Sequence, residues 1–242
     1  MTKMLVVSLS VILLLLSLFP FNSQANAADR HHEVIWYGSS VQDGTDPTHN
    51  DAVVWLQDHS VDVEKRSRPL SHLNDGDVVV ITAQFSSTFS NKEVKELVKF
   101  VNHGGKLILA ADTDYFHCHL SSTCAMEISR NFGFAFNGDV SGTIVPAAGQ
   151  SGHPIWNSPN SLSSFTNWCC DAFVAEVSDN TNVKILGSIS TENNVPAIVL
   201  NENPQYKGGK VMGIGYNMLI GLYGDFTLFD NIMSFMLDKT IS

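Results

Sequence analysis

Positive charge is scarce in this sequence. Its 242 residues hold 14 lysines and arginines against 24 aspartates and glutamates, for a formal net charge of −10 at pH 7. The basic residues form no cluster along the chain. Because proteins that bind nucleic acid present a positively charged face to the phosphates, this composition excludes DNA and RNA as expected partners.

Proline and glycine are present in ordinary numbers, at 8 and 17 residues, and we find no internal repeat. These counts exclude collagen-like and low-complexity classes. The 44% hydrophobic content, with only 16% charged residues, is typical of a folded domain with a core rather than of a disordered chain. Without a linker-like stretch, residues 28–242 are predicted to form one domain.

Long apolar runs are absent except at the start of the chain. Residues 4–18 follow Lys3 and are apolar apart from three serines, and Ala25-Asn26-Ala27 has the pattern of a cleavage site. The run is short for a membrane span of about 20 residues. We therefore predict a signal peptide over residues 1–27, a secreted or periplasmic mature protein and no membrane span after cleavage; a membrane anchor is the alternative.

Cysteine is rare, but the four cysteines all follow the predicted cleavage site. In an oxidising compartment an even number of cysteines favours disulfides, so all four are predicted to be bonded. Pairing the first two with the last two would close loops of about 50 residues, which the chain-entropy model predicts to be stabilising. A local bridge between the first two is the alternative and leaves the adjacent pair free or vicinally bridged. The four are Cys118, Cys124, Cys169 and Cys170.

The clearest pattern in the sequence is a strand, a helix and a second strand. Residues 77–81 form a continuous apolar run, Ser90 and Glu93 have capping-box spacing, and residues 94–101 carry a helical apolar stripe. Gly104-Gly105 ends the helix, and residues 106–111 form another apolar run. This order predicts a βαβ unit with parallel strands. Further strands are predicted at 33–37, 61–65, 172–177, 183–190, 197–200 and 210–215, and further helices at 49–59, 121–131 and 225–237.

These elements predict an α/β fold, a three-layer sandwich with a mainly parallel sheet, a C-terminal hairpin and a closing helix. The chain resembles the class I glutamine amidotransferase-like superfamily, which has a flavodoxin-like fold. More narrowly it is similar to members without the amidotransferase active site, among them domains of gliding-motility and intraflagellar transport proteins. The stretches that carry the resemblance are 77–112, 132–134, 152–157 and 208–221.

The sequence departs from this superfamily at its catalytic positions. The resemblance implies a nucleophilic cysteine in a tight turn after a central strand, but residues 110–114 read Ala-Ala-Asp-Thr-Asp. It also implies a late catalytic histidine, and no histidine follows His153. Since a Cys-His pair needs both partners within hydrogen-bonding reach, glutaminase chemistry is not expected.

Polar residues follow two of the predicted strands. Ligands of open α/β sheets bind beyond the carboxyl ends of the strands, so these residues are the predicted ligand-binding set. Aspartates are also common in turns and at helix starts, which is the competing structural explanation. The set comprises Asp43, Asp46, His49, Asp112 and Asp114.

A metal site is the alternative interpretation of the same loops. Imidazoles together with carboxylates are ligands of zinc and similar divalent ions, so His117, His119 and His153 are candidate metal ligands. A bound metal would activate water or polarise a carbonyl, as in a metal-dependent hydrolase. Thiol chemistry at the adjacent cysteines is a third option.

The absence of the superfamily's catalytic Cys-His pair favours a binding role over an enzymatic one. The sequence predicts a secreted, non-catalytic, amidotransferase-like binding or interaction domain at the cell envelope, with no cofactor. Its partner would be a small polar ligand or an envelope protein. The alternative is a metal-dependent hydrolase that uses the aspartate and histidine loops with a divalent metal such as zinc.

Overall fold

The chain from His31 to Ser242 forms one compact unit in a computed structural model. The predicted signal peptide lies outside the residues that the structure describes. The described residues are 31–37, 47–66, 70–82, 89–110, 128–140, 142–166, 172–177, 182–190, 194–215 and 226–241.

The main sheet has nine strands in the order β2-β1-β3-β4-β11-β10-β9-β6-β7. Its first five strands run parallel to one another, and each of the remaining strands is antiparallel to its neighbour. Their bounds are β1 His32–Tyr37, β2 Val63–Arg66, β3 Gly76–Thr82, β4 Lys106–Ala110, β6 Thr143–Pro146, β7 Phe165–Thr166, β9 Val183–Ile189, β10 Val195–Asn201 and β11 Lys210–Ile214.

A second sheet and four α-helices with both ends in the described residues complete the structure. Of the helix predicted at 121–131, residues 128–129 are helical and lead into a 3-10 turn, and residues 121–127 lie outside the described residues. The second sheet pairs β5 (Phe134–Val140) with β8 (Ala172–Val177) in antiparallel fashion. The helices are α1 (Pro47–Asp58), α2 (Asn91–Asn102), α3 (Pro154–Asn157) and α4 (Thr227–Leu237), and short 3-10 turns lie at Leu73–Asp75, Arg130–Phe132 and Pro204–Tyr206.

The predicted mainly parallel, flavodoxin-like three-layer sandwich is wrong. Only one side of the nine-stranded sheet is parallel, and the other side, from β10 to β7, is antiparallel. Parallel neighbours require a crossover connection, whereas short links such as the one at residues 202–209 between β10 and β11 produce antiparallel pairs. The apolar runs at 183–190, 197–200 and 210–215 therefore build the hairpins β9–β10 and β10–β11 rather than further βαβ units. The predicted C-terminal hairpin and closing helix are present as β10–β11 and α4.

The predicted βαβ unit and its capping box are confirmed. β3 and β4 are parallel neighbours joined through α2. The Ser90 side chain accepts a hydrogen bond from the Glu93 backbone N–H at 3.3 Å, and the Ser90 N–H donates to Glu93 Oε2 at 2.8 Å. The sequence identifies this helix start because both partners of the cap are local.

Side chains of the central strands alternate between two buried clusters, one on each face of the main sheet. We call them the Trp36 face, which α1 and α4 cover, and the Tyr37 face, which α2 and residues of β5 cover. Along β1, Val34 and Trp36 belong to the first cluster, and Ile35 and Tyr37 belong to the second. A parallel strand buried on both faces needs such a continuous apolar run.

None of the described helices is both long enough and apolar enough to cross a lipid bilayer. This agrees with the prediction of no membrane span for that part of the chain.

Candidate functional site at the carboxyl edge

The parallel strands end together at one edge of the main sheet. Tyr37, Thr82, Ala110 and Ile214 are the last residues of β1, β3, β4 and β11, and we call this end of the sheet the carboxyl edge. After β1 the chain moves outward to β2, and after β2 it passes to β3 on the other side of β1. Open α/β sheets bind ligands in the crevice at such a switch point, so the ends of β1 and β3 mark the candidate site.

On the Tyr37 face, the polar side chains near the candidate site already have hydrogen-bond partners within the protein. Tyr37 Oη donates to the Ser71 carbonyl oxygen at 3.3 Å, and Arg66 Nη1 donates to the carbonyl oxygens of Ser71 (3.0 Å) and His72 (2.7 Å). Arg66 also pairs with Glu64, with Nε 2.8 Å from Oε2. Burial raises the pKa of Tyr37 despite the opposing effect of the Arg66 guanidinium. The phenol is therefore neutral and held in place near neutral pH.

The start of α2 lies on the same side and already holds a carboxylate. Glu93 is only 8% exposed and accepts hydrogen bonds from the Ser90 N–H, the Ser90 hydroxyl and, at 3.3 Å, the Leu70 N–H. A helix N-terminus attracts anions through its free N–H groups and its dipole. Since Glu93 supplies that negative charge internally, this helix start is a poor place for an anionic ligand.

The Trp36 side differs because it contains a buried donor with no partner in the described structure. Trp36 is 0% exposed, and its indole N–H makes no hydrogen bond to any described residue. A buried donor without a partner costs about 1–3 kcal/mol. Trp156, which is also fully buried, donates from Nε1 to the Leu186 carbonyl oxygen at 2.9 Å. The sequence gives no signal for this difference, because nothing local shows whether an indole has a partner.

Aromatic rings lie in the same cluster, where α1 meets α4. Trp55 stacks against Phe226 with ring centroids 5.5 Å apart, contacts Phe229 edge-on at 5.5 Å, and stacks on His59 at 4.0 Å. Stacked and edge-on pairs of this kind stabilise beyond the area that they bury. These rings fix α1 against the start of α4 and provide a rigid apolar wall on this side of the sheet.

Most of the sequence-predicted site residues lie outside the described part of the chain. His49 is the third residue of α1, and only its backbone is described, so the structure does not test the ligand-binding set. No group of three or more candidate metal ligands occurs among the described residues. The residues outside them are Asp43, Asp46, Asp112, Asp114, His117, His119, Cys118, Cys124, Cys169 and Cys170.

His153, the third candidate metal ligand, lies at the opposite end of the sheet. Its ring contacts Phe235 of α4 at a centroid distance of 5.0 Å, and Lys210 Nζ lies 4.2 Å from the centroid of that same Phe235 ring. Lys210 is the first residue of β11, so this cluster lies at the amino ends of the parallel strands. The described structure thus places His153 away from the strand ends that precede the aspartate and histidine loops. His153 is the N-cap of α3, where its Nδ1 accepts from the Ile155 N–H at 3.4 Å.

This capping role predicts a dependence of stability on pH. Burial lowers the pKa of His153, and Lys184 and Lys210 lower it further against the opposing charge of Glu202. Between that lowered pKa and the unfolded value of about 6.5, the unfolded chain binds more protons, so acidification through this window destabilises the native state. Protonation also removes the lone pair that caps α3.

The measurement is urea unfolding of the wild type and of His153→Asn across this pH range. Asparagine is a good N-cap that does not titrate, so the variant should lose less free energy of unfolding below about pH 6. The other histidines are common to both proteins and cancel in the comparison. Parallel pH profiles for the two proteins would refute this role of His153.

Comparisons with known proteins find structures with a similar fold but identify no family. No protein-family model matches the sequence. No curated protein matches it with significant similarity. The similar solved structures include the mmIFT52 N-terminal domain, with a TM-score of 0.67 and 12% identity, over 84% of this chain and 97% of that one.

Two further structures are similar over most of both chains. The cytoplasmic protein STM3548 from Salmonella typhimurium has a TM-score of 0.57 and 15% identity, covering 84% of this chain and 98% of that one. A protein described as ThuA-like from Bacteroides uniformis has a TM-score of 0.53 and 14% identity, covering 90% and 95%. At these identities the likeness extends to the fold alone, so the amidotransferase-like assignment stays a prediction.

Proposed function

We propose that this chain is an exported, non-catalytic binding domain of the amidotransferase-like kind, and that it binds a small ligand in the crevice at the carboxyl ends of β1 and β3. The observation that carries the proposal is the switch point itself, where the connections from β1 and β2 diverge. The missing cysteine at residues 110–114 and the absence of any histidine after His153 support a binding role over glutaminase chemistry.

Charge supports a neutral ligand over an anionic one. The chain carries a net charge of −10, and the start of α2 beside the crevice already holds the Glu93 carboxylate. Both the net negative charge of the chain and the Glu93 carboxylate would repel an anionic ligand. We therefore expect a neutral compound with an apolar face, which suits the apolar cluster on the Trp36 face of the sheet.

Two-dimensional NMR of the isotope-labelled protein tests the location of the site. We expect neutral six-membered-ring compounds, with cyclohexanone and glucose as probes, to shift the backbone amide signals of Tyr37, Ile81 and Leu109 at the carboxyl edge. The amide of Lys106, at the amino end of β4, serves as the internal reference and should not move. Shifts confined to other parts of the protein, or none at millimolar probe, would overturn the proposal.

The same protein should be assayed for hydrolysis of p-nitrophenyl acetate with and without EDTA. Turnover that EDTA abolishes and zinc restores would favour the metal-dependent hydrolase instead. We expect no chelator-sensitive turnover.

A further inference from the structure

Two lysines meet at the end of the main sheet where β4 and β11 begin, which we call the amino edge. Lys106 is the first residue of β4, Lys210 is the first residue of β11, and the two are direct partners in the register of these parallel strands. Their side chains are mostly buried, with 13% and 15% exposed. Because like charges at adjacent positions of a sheet repel each other, the pair needs an anion between its ammonium groups.

Asp238 supplies that anion. Its Oδ2 accepts from Lys106 Nζ at 2.7 Å, and its Oδ1 accepts from Lys210 Nζ at 2.9 Å. Burial raises the pKa of this carboxyl, but the hydrogen bonds from the two lysines outweigh it, and the pKa lies below its ordinary value. The carboxylate is therefore ionised near neutral pH, and each of its oxygens holds one ammonium group. Because the Asp238 side chain is 61% exposed, the place that it occupies is open to solvent.

The local position of Asp238 disfavours an aspartate. The residue ends α4 with a φ of 53°, in the left-handed region where glycine is the usual residue after a helix. A negative charge at this position also faces the negative end of the helix dipole. Since both local effects oppose the residue, the contact with the two lysines is the interaction that accounts for an aspartate here.

The groups around the Asp238 carboxylate have anchors of their own. Ile241 is buried, and its N–H donates to Ser234 Oγ at 3.1 Å, which holds the segment after α4. Lys210 lies against the Phe235 ring, with Nζ 4.2 Å from the ring centroid. Removal of the carboxylate alone should therefore leave the end of α4 and the ammonium group of Lys210 in place, with an open site between the two lysines.

We propose that the ammonium groups of Lys106 and Lys210 form a binding site for a small oxyanion, and that Asp238 occupies this site as a built-in, competing ligand. A carboxylate, which offers one oxygen to each ammonium group, has the required chemistry. An external anion that replaces Asp238 would free this side chain from the sheet. The site lies at the opposite end of the strands from the proposed ligand crevice, and the inference does not depend on that crevice.

NMR titration of the isotope-labelled protein with acetate tests the proposal, with sodium chloride replaced by sodium acetate at constant ionic strength. Asp238→Gly removes the carboxylate and suits the left-handed backbone. We expect the backbone amide signals of Lys106 and Lys210 to shift saturably in this variant. The apparent Kd for acetate should be about tenfold lower than in the wild type, or lower still, because Asp238 no longer competes. Adding Lys106→Gln to this variant should abolish the shift.

Glu202→Gly is the matched control, because it removes the carboxylate that pairs with the single ammonium group of Lys184 at 3.0 Å. The Lys184 side chain is 55% exposed, so water can solvate it once the carboxylate is gone. This variant should bind acetate no more tightly than the wild type does.

Equal acetate affinity in Asp238→Gly and in the wild type would overturn the proposal, and so would an equal gain in Glu202→Gly. Asp238 would then serve only to hold the end of α4. If Asp238→Gly does not fold in chloride, its refolding is compared in the two salts. Recovery of the folded protein in acetate alone would support the site, and failure in both salts would overturn it.

Discussion

Replacing Asn231 with alanine should destabilise the protein by about 3 kcal/mol, since it removes a buried network and leaves backbone groups unpaired. Asn231 is fully buried in α4. Its Nδ2 donates to the carbonyl oxygens of Ile155 (3.0 Å) and Asn160 (2.8 Å), and its Oδ1 accepts from the Asn160 backbone N–H at 2.8 Å. One amide side chain therefore binds the segment around α3 to the closing helix.

Urea unfolding monitored by circular dichroism measures this effect, and Asn157→Ala is the control. Asn157 also donates to two backbone carbonyl oxygens, those of Ser151 and His153. Because it is exposed, water can form these hydrogen bonds in its place. We expect Asn157→Ala to cost less than about 1 kcal/mol. If the two variants were equally stable, the buried network would not be what holds α3 against α4.

The second large effect is expected at Gly209, in the hairpin before β11. A methyl group on Gly209 would lie 2.3 Å from the carbonyl oxygen of Val101 and 2.7 Å from that of Gly105. Both are backbone atoms at the turn between α2 and β4, so no side-chain rotation can relieve the contact. Gly209→Ala should destabilise the protein by about 3 kcal/mol or more, because overpacking that moves backbone lies at the upper end of such costs.

Gly152→Ala is the matched glycine substitution, since no atom lies within 4 Å of its added methyl group. Its stability should equal that of the wild type or exceed it slightly, because alanine restricts the unfolded chain. Thermal unfolding of both variants checks the pair. A Gly209→Ala protein with the wild-type melting temperature would show that the hairpin can shift away from the α2–β4 turn.

The elements that the sequence predicts correctly are those with local signals. The run at residues 77–81 alternates between both buried faces, and the cap of α2 depends on Ser90 and Glu93, three residues apart. The hairpin between β10 and β11 follows from two apolar runs separated by a glycine-containing turn. Each of these signals lies within a few residues of the structure that it specifies.

For the candidate site, the sequence predicts only the location, at the carboxyl ends of the strands, and not the side chains that form it. The rule that ligands bind beyond carboxyl ends locates an edge from strand order, but it does not show which side chains there have partners. Trp36 and Trp156 look equivalent in the sequence, and only the Leu186 carbonyl distinguishes them. His153 likewise has the chemistry of a metal ligand but lies beside Phe235 at the amino end of the sheet.

By itself the sequence located β1 to β4, β8 to β11, α1, α2 and α4. That this acidic chain does not bind nucleic acid stays a prediction from its composition. These properties depend on composition and on periods of two or 3.6 residues, which are local. Tertiary structure alone decided that half of the main sheet is antiparallel, that Asn231 joins α3 to α4, and that the Trp36 indole is buried without an acceptor in the described structure. The physical reason is that strand direction and hydrogen-bond partners depend on contacts between residues far apart in the chain, such as Asn160 and Asn231, whose sequence separation is 71.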